Sequence, residues 1–114
     1  MRAAMSGQYG SPETVRIVDT SDPVPRAGEL LVRVNAAAVT AGDARIRAGR
    51  FPHGFGTLAR LGIGLQGPRR PVLGAVFSGT VERLGSPTAD SAQFAVGDEV
   101  VGMTGARMGA HAEL

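Results

Sequence analysis

The sequence predicts a mainly β domain, a partial barrel or sandwich carrying a small helix. Three observations lead there. Seventeen glycines and seven prolines, 24 of 114 residues, punctuate the chain too often for a helical protein. The apolar runs between them are short and rich in β-branched residues. One of those runs alternates strictly between apolar and polar positions, the period of a half-buried strand.

Taken in order, residues 1–5 form a short first strand, and Gly7 to Pro12 a turn. Thr14 to Asp19 favours a second strand through its β-branched side chains. A Pro-rich connector, residues 21–28, leads into Glu29 to Val39, the clearest strand. Leu30, Val32, Val34 and Ala36 share one face there, and Leu31, Arg33 and Asn35 the other. A helix follows. Thr40 is its N-cap and Asp43 the third residue of a capping box. Asp43 also stands four residues before Arg47, in the favourable order for a helical ion pair, and Gly49 is placed for a left-handed C-cap. Arg50 to Pro71 reads as one long irregular segment, the kind of loop that usually carries function. Val72 to Leu84 is strand-rich with a break near Gly79. Residues 85–92 form a polar turn, and Val96-Gly97-Asp98 turns into a strand at 99–101. Residues 108–114 open another strand, which reads as interrupted at Leu114.

Composition bounds the chemistry. A mass of 11.7 kDa and 43% apolar residues fit one domain with a core. No cysteine is present, which excludes disulfides, thiolate zinc sites and a cysteine nucleophile. Twelve arginines face ten acids with no lysine, so the pI of 10.4 overstates a net charge of +2. The arginines are scattered, with Arg69-Arg70 the one adjacent pair, and no aromatic series accompanies them. A nucleic-acid partner is not expected. No apolar run has the length of a signal peptide or a membrane span, so the expectation is a cytoplasmic protein without a membrane partner.

Gly62-Ile63-Gly64-Leu65-Gln66-Gly67 spells G-x-G-x-x-G, but Pro68 and Pro71 follow where a dinucleotide site needs a helix to begin. It is read as a flexible loop. His53 is an exposed loop residue and His111 a strand side chain. Thr40, Asp43 and Arg47 are explained by the helix alone, and Arg69 and Arg70 by an exposed loop.

Several stretches in sequence order resemble a known family. They are Pro25 to Val39 running into Thr40 to Gly49, then Pro71-Val72-Leu73-Gly74, Ser78 to Gly85, Val96 to Gly102, and Gly109-Ala110-His111-Ala112-Glu113, with Tyr9-Gly10-Ser11-Pro12-Glu13 before them. Their order resembles the N-terminal GroES-like domain of the medium-chain dehydrogenase/reductase superfamily, and most closely its zinc-independent quinone oxidoreductase-like and alcohol dehydrogenase-like members. The resemblance implies a GroES-like partial β-barrel over residues 1–114, with one or two short helices. Zinc-dependent relatives place Cys at the Thr40 position and Gly-His-Glu where this chain has Gly74-Ala75-Val76, so it implies no metal. Quinone oxidoreductases often carry Asn and Tyr at the positions of Thr40 and Arg45.

By the same resemblance, a parent enzyme moves hydride from NADP(H) or NAD(H) to a quinone, enone or carbonyl. Thr40 is the expected catalytic donor, Thr40 and Asp43 the cofactor-side contacts, and the 50–71 loop a wall of the substrate pocket. The nucleotide sits on a C-terminal Rossmann domain, expected outside this chain, which alone is expected to bind no cofactor and turn over no substrate. The parent's partners are a small-molecule substrate and a second copy in a homodimer. The rival classes are a non-enzymatic GroES-like binding module, a co-chaperonin-like barrel with a mobile loop, and a stand-alone small-ligand barrel.

Overall fold

The computed structural model describes all of residues 1–114. Strand β1 (Arg2–Met5) pairs antiparallel with β2 (Arg16–Asp19), Ala3 opposite Val18. Strands β3 (Leu30–Ala37), β4 (Val76–Leu84) and β5 (Glu99–Met103) form a second antiparallel sheet in that order. Helices α1 (Ala41–Ala48) and α2 (Gly56–Ile63) lie between β3 and β4 in sequence. Two single 3-10 turns cover Pro12–Thr14 and Gly105–Arg107. The fold is therefore mainly β with two short helices, and its sheets do not close into a complete barrel.

The segment 110–113 ties the sheets together. Ala112 bridges Ala3, and Ala4 N–H donates to His111 C=O at 2.9 Å. On the other side Val34 N–H donates to Glu113 C=O at 2.9 Å. Ala3, Leu31, Leu73, Val81 and Ala110 make up the fully enclosed apolar core. Beside it lies an apolar cavity of about 320 Å³, bordered by Leu30, Val32, Val34 and Phe77.

Five expectations change. The irregular segment 50–71 contains α2, because Leu58, Ala59, Arg60 and Leu61 are strong helix formers that need only the flanking glycines as ends. β4 runs through Gly79 without a break; a Cβ there would lie 2.2 Å from Arg33 C=O, so the glycine lets β3 approach closely. β2 begins at Arg16 because Pro12–Thr14 takes a 3-10 turn. Residues 108–114 contribute only an isolated bridge, not a ladder strand. The alternation along β3 is also broken by register shifts at Leu31/Val32 and Val34/Ala36. Leu31 is the buried residue of that strand, while Ala36 is exposed.

Candidate active site

The site is built where β3 hands over to α1. Thr40 has extended backbone angles and accepts Asp43 N–H on its hydroxyl at 3.2 Å, while Asp43 Oδ2 accepts Thr40 N–H at 2.8 Å. This is the predicted capping box, and Gly49, at φ 67°, closes the helix in the left-handed conformation expected. The Thr40 hydroxyl in turn donates to Asp43 Oδ2 at 2.8 Å. Asp43 is 5% exposed, and its other oxygen, Oδ1, accepts Gly74 N–H at 3.2 Å.

A carboxylate this deeply placed is tolerable only because its oxygens are paired. Three donors converge on it, two from the backbone and one from a hydroxyl. With its carboxylate spent in this way, Asp43 does not pair with Arg47. The Arg47 guanidinium instead donates to Gly10 C=O, so the predicted helical ion pair does not form.

Gly74, at φ 90°, packs directly against His111; a Cβ on it would lie 2.5 Å from His111 Cδ2. His111 Nε2 stands 3.1 Å from Ala38 C=O. A carbonyl only accepts, so Nε2 carries a proton and donates. His111 N–H also donates to Leu73 C=O at 2.9 Å, and Ala110 N–H to Gly74 C=O at 3.0 Å. Sequence reasoning placed His111 as an ordinary strand residue and missed that it clamps the 38–40 and 72–74 segments together. The glycine at 74 was the available signal.

The remaining candidates separate. His53 is exposed in the loop before α2. Arg69 donates to Leu61 C=O and Arg70 to Arg107 C=O, so the adjacent pair is not a single phosphate clamp. Gly62 lies in α2 and Gly64 N–H donates to Arg60 C=O, so the G-x-G-x-x-G stretch closes a helix instead of opening one. A dinucleotide pyrophosphate therefore does not fit these residues. No three His, Cys, Asp or Glu side chains converge as metal ligands.

The mainly β architecture, with two short helices and sheets that do not close, is that of a partial GroES-like barrel. The family model described as alcohol dehydrogenase GroES-like domain matches residues 26–113. The chain belongs to that family, and so to the N-terminal domain type of the medium-chain dehydrogenase/reductase superfamily.

Among solved structures it is similar to the quinone oxidoreductase from Coxiella burnetii, at 32% identity and TM-score 0.77 over 99% of this chain and 33% of that one. The human synaptic vesicle membrane protein VAT-1 homolog-like protein matches at 28% identity and TM-score 0.76, over 99% of this chain and 31% of that one. Mycobacterial Rv1454c complexed with NADPH matches at 31% identity and TM-score 0.71, over 99% of this chain and 30% of that one. The chain thus spans about a third of the length of the solved structures it matches. No curated protein matches it.

Proposed function

We propose that residues 1–114 are the acceptor-side domain of an NAD(P)H-dependent oxidoreductase that reduces a quinone, enone or carbonyl without zinc. The other wall of the cleft is then a Rossmann-type domain outside these residues. The observation that carries this reading is the Thr40 hydroxyl at the start of α1, held by Asp43 and backed by Gly74.

The nicotinamide cofactor, when bound by that second domain, supplies the hydride. Negative charge then develops on the acceptor oxygen and needs a hydrogen-bond donor. Thr40 answers that need by turning its single hydroxyl proton from Asp43 Oδ2 to the substrate oxygen. Asp43 stays satisfied meanwhile, because Thr40 N–H and Gly74 N–H still point at its two oxygens. Asp43 is thus a positioning residue for the hydroxyl, and on the cofactor side it acts only through Thr40. The zinc-free reading is supported by the side chains at positions 40, 75 and 76, none of which is a zinc ligand of ordinary affinity. Helix α2 and its flanks supply a wall of the substrate pocket.

The experiment is steady-state kinetics on a chain carrying its nucleotide-binding domain. Thr40→Val lowers kcat about a hundredfold, the usual cost of one donor to a developing oxyanion, and Thr40→Ser retains most of it. Unchanged kcat in Thr40→Val refutes the assignment, as does stoichiometric zinc in the active protein.

A further inference from the structure

Strand β5 closes the second sheet on one side: β4 lies next to it and no strand lies beyond it. The register shows which of its backbone groups face outward. Thr104 N–H donates to Ala75 C=O at one end of the β4–β5 ladder, and Val81 N–H to Asp98 C=O at the other. Between them the hydrogen-bonded pairs are therefore those of Val100 and Gly102. The N–H and C=O groups of Glu99, Val101 and Met103 point away from β4, and none of them bonds elsewhere in the chain.

Sheets blunt an open edge with charge, proline or a covering segment. Strand β2 carries exposed Arg16 and Asp19 at its two ends, and the free side of β3 is met at Val34 by Glu113. The centre of β5 has no such guard. Val101 and Met103 are 80% and 76% exposed, and Glu99, at the start of the strand, is its one charge.

We propose that β5 pairs antiparallel with β5 of a second copy about a two-fold axis through Val101, joining two three-stranded sheets into one. The register selects this occupant. On that axis Val101 faces Val101 of the second copy and Glu99 faces its Met103, so every outward residue exchanges both of its backbone bonds. A slip of one residue sets outward groups against inward ones. A slip of two leaves one outward residue of each strand facing Gly97 or Gly105, where the chain has turned. The side chains agree with the centred register. A β-branched residue meets its own copy on the axis, and Glu99 lies beside a thioether. The two Glu99 carboxylates stand roughly 13 Å apart along the strands, beyond the Debye length of about 8 Å. A foreign strand carries no such built-in match. An edge of five residues is smaller than a permanent interface, so the dimer is weak and exchanging. The family resemblance implies a second copy without placing it, and the proposal does not depend on the hydride-transfer reading.

The test is sedimentation equilibrium of the 114-residue chain from about 10 µM to about 1 mM, with amide exchange measured at both ends of that range. The expected mass rises from 11.7 kDa toward twice that value, and the amides of Glu99, Val101 and Met103 exchange more slowly in the concentrated sample. V101K and V101E each weaken association at least about tenfold with an unchanged circular dichroism spectrum, because like charges then meet on the axis. Mixing the two variants restores association, and V101T retains it. Four outcomes overturn the proposal: a monomer throughout, which leaves the edge to a foreign extended segment; association with no slowing at those three amides; wild-type association by V101K alone; or a mixture of V101K and V101E that stays monomeric.

Discussion

Asp43 and Gly74 are 31 positions apart and meet through one hydrogen bond, Gly74 N–H to Asp43 Oδ1 at 3.2 Å. That bond fixes the N-terminus of α1 against the approach to β4. It forms only because residue 74 has no side chain: a Cβ would reach 2.5 Å from His111 Cδ2 and 2.8 Å from His111 N. The φ of 90° adds a conformational demand that an L side chain meets poorly.

Gly74→Ala is therefore expected to destabilise the fold by about 2–4 kcal/mol, since clash and backbone strain act together. Chemical denaturation measures it. Adding His111→Ala removes the ring but leaves the backbone N in place, so the double variant recovers only part of the loss. Full recovery would show that the ring alone sets the requirement for glycine.

Asp43→Ala leaves Thr40 N–H, the Thr40 hydroxyl and Gly74 N–H without their acceptor. Stability is expected to fall by about 2–4 kcal/mol, the cost of a lost cap plus buried donors left unpaired. Asp43→Asn keeps one acceptor oxygen and should fall between that variant and the wild type. An Asp43→Ala loss no greater than that of an ordinary exposed N-cap, about 1 kcal/mol, would mean that the Gly74 bond contributes nothing.

Tyr9 joins the ends of both helices. Its ring packs against Gly49, where a Cβ would come within 3.0 Å, and its hydroxyl donates to Gly64 C=O at 2.5 Å. Phe51 meets the same ring edge-on at 6.1 Å. Tyr9→Phe keeps the packing and removes the hydroxyl's bond to Gly64 C=O, while Arg69 still bonds the α2 C-terminus at Leu61 and Ile63 C=O. Global stability is expected to drop by only about 1 kcal/mol, while the amides of α2 exchange faster than those of β4. Equal acceleration throughout the chain would show that α2 has no independent opening for Tyr9 to control.

Much of this was legible in the sequence for local reasons. Thr40, Asp43 and Gly49 specify α1 through cap chemistry within ten residues, and both caps form as read. β5 follows from the Val96-Gly97-Asp98 turn. What the sequence concealed depends on distant partners. Asp43 has a local candidate in Arg47, yet its carboxylate is taken by Thr40 and Gly74, and Arg47 reaches Gly10. Gly79 looks like a strand breaker until β3 is set beside it, with Val34 across from it and the Arg33 C=O where a Cβ would stand. Helix α2 was hidden by glycines at its ends, although its interior favours a helix.

Glu113 supplies one part of the fold's acid dependence. Its carboxylate accepts Arg2 N–H at 2.8 Å and Arg2 Nε–H at 2.8 Å, with the guanidinium Nη2 at 2.7 Å from the same oxygen as Nε. The Arg2 backbone N–H, and after it the Arg2 side chain, hold the Glu113 carboxyl below its ordinary value. A pKa lower in the folded than in the unfolded chain stabilises the fold above the unfolded value, and the contribution disappears as pH falls through the folded one. The loss should therefore begin in the usual carboxylate range, near about pH 4–5, and finish below it. Glu29 is shifted the same way by Arg26 N–H and then Arg107, and Glu13 by the Ser11 hydroxyl. Glu113→Gln should thus start with a lower Tm at neutral pH and lose less on acidification than the wild type, while still keeping a residual slope. Because the Arg2–Glu113 pair is solvent-exposed, added salt should shrink the difference between the two proteins. The consequence is local as well: Val34 N–H is bound to Glu113 C=O, so protonation should shift the Val34 and Arg2 amide resonances together. Parallel Tm curves for Glu113→Gln and wild type from neutral to acid pH would place the acid sensitivity elsewhere.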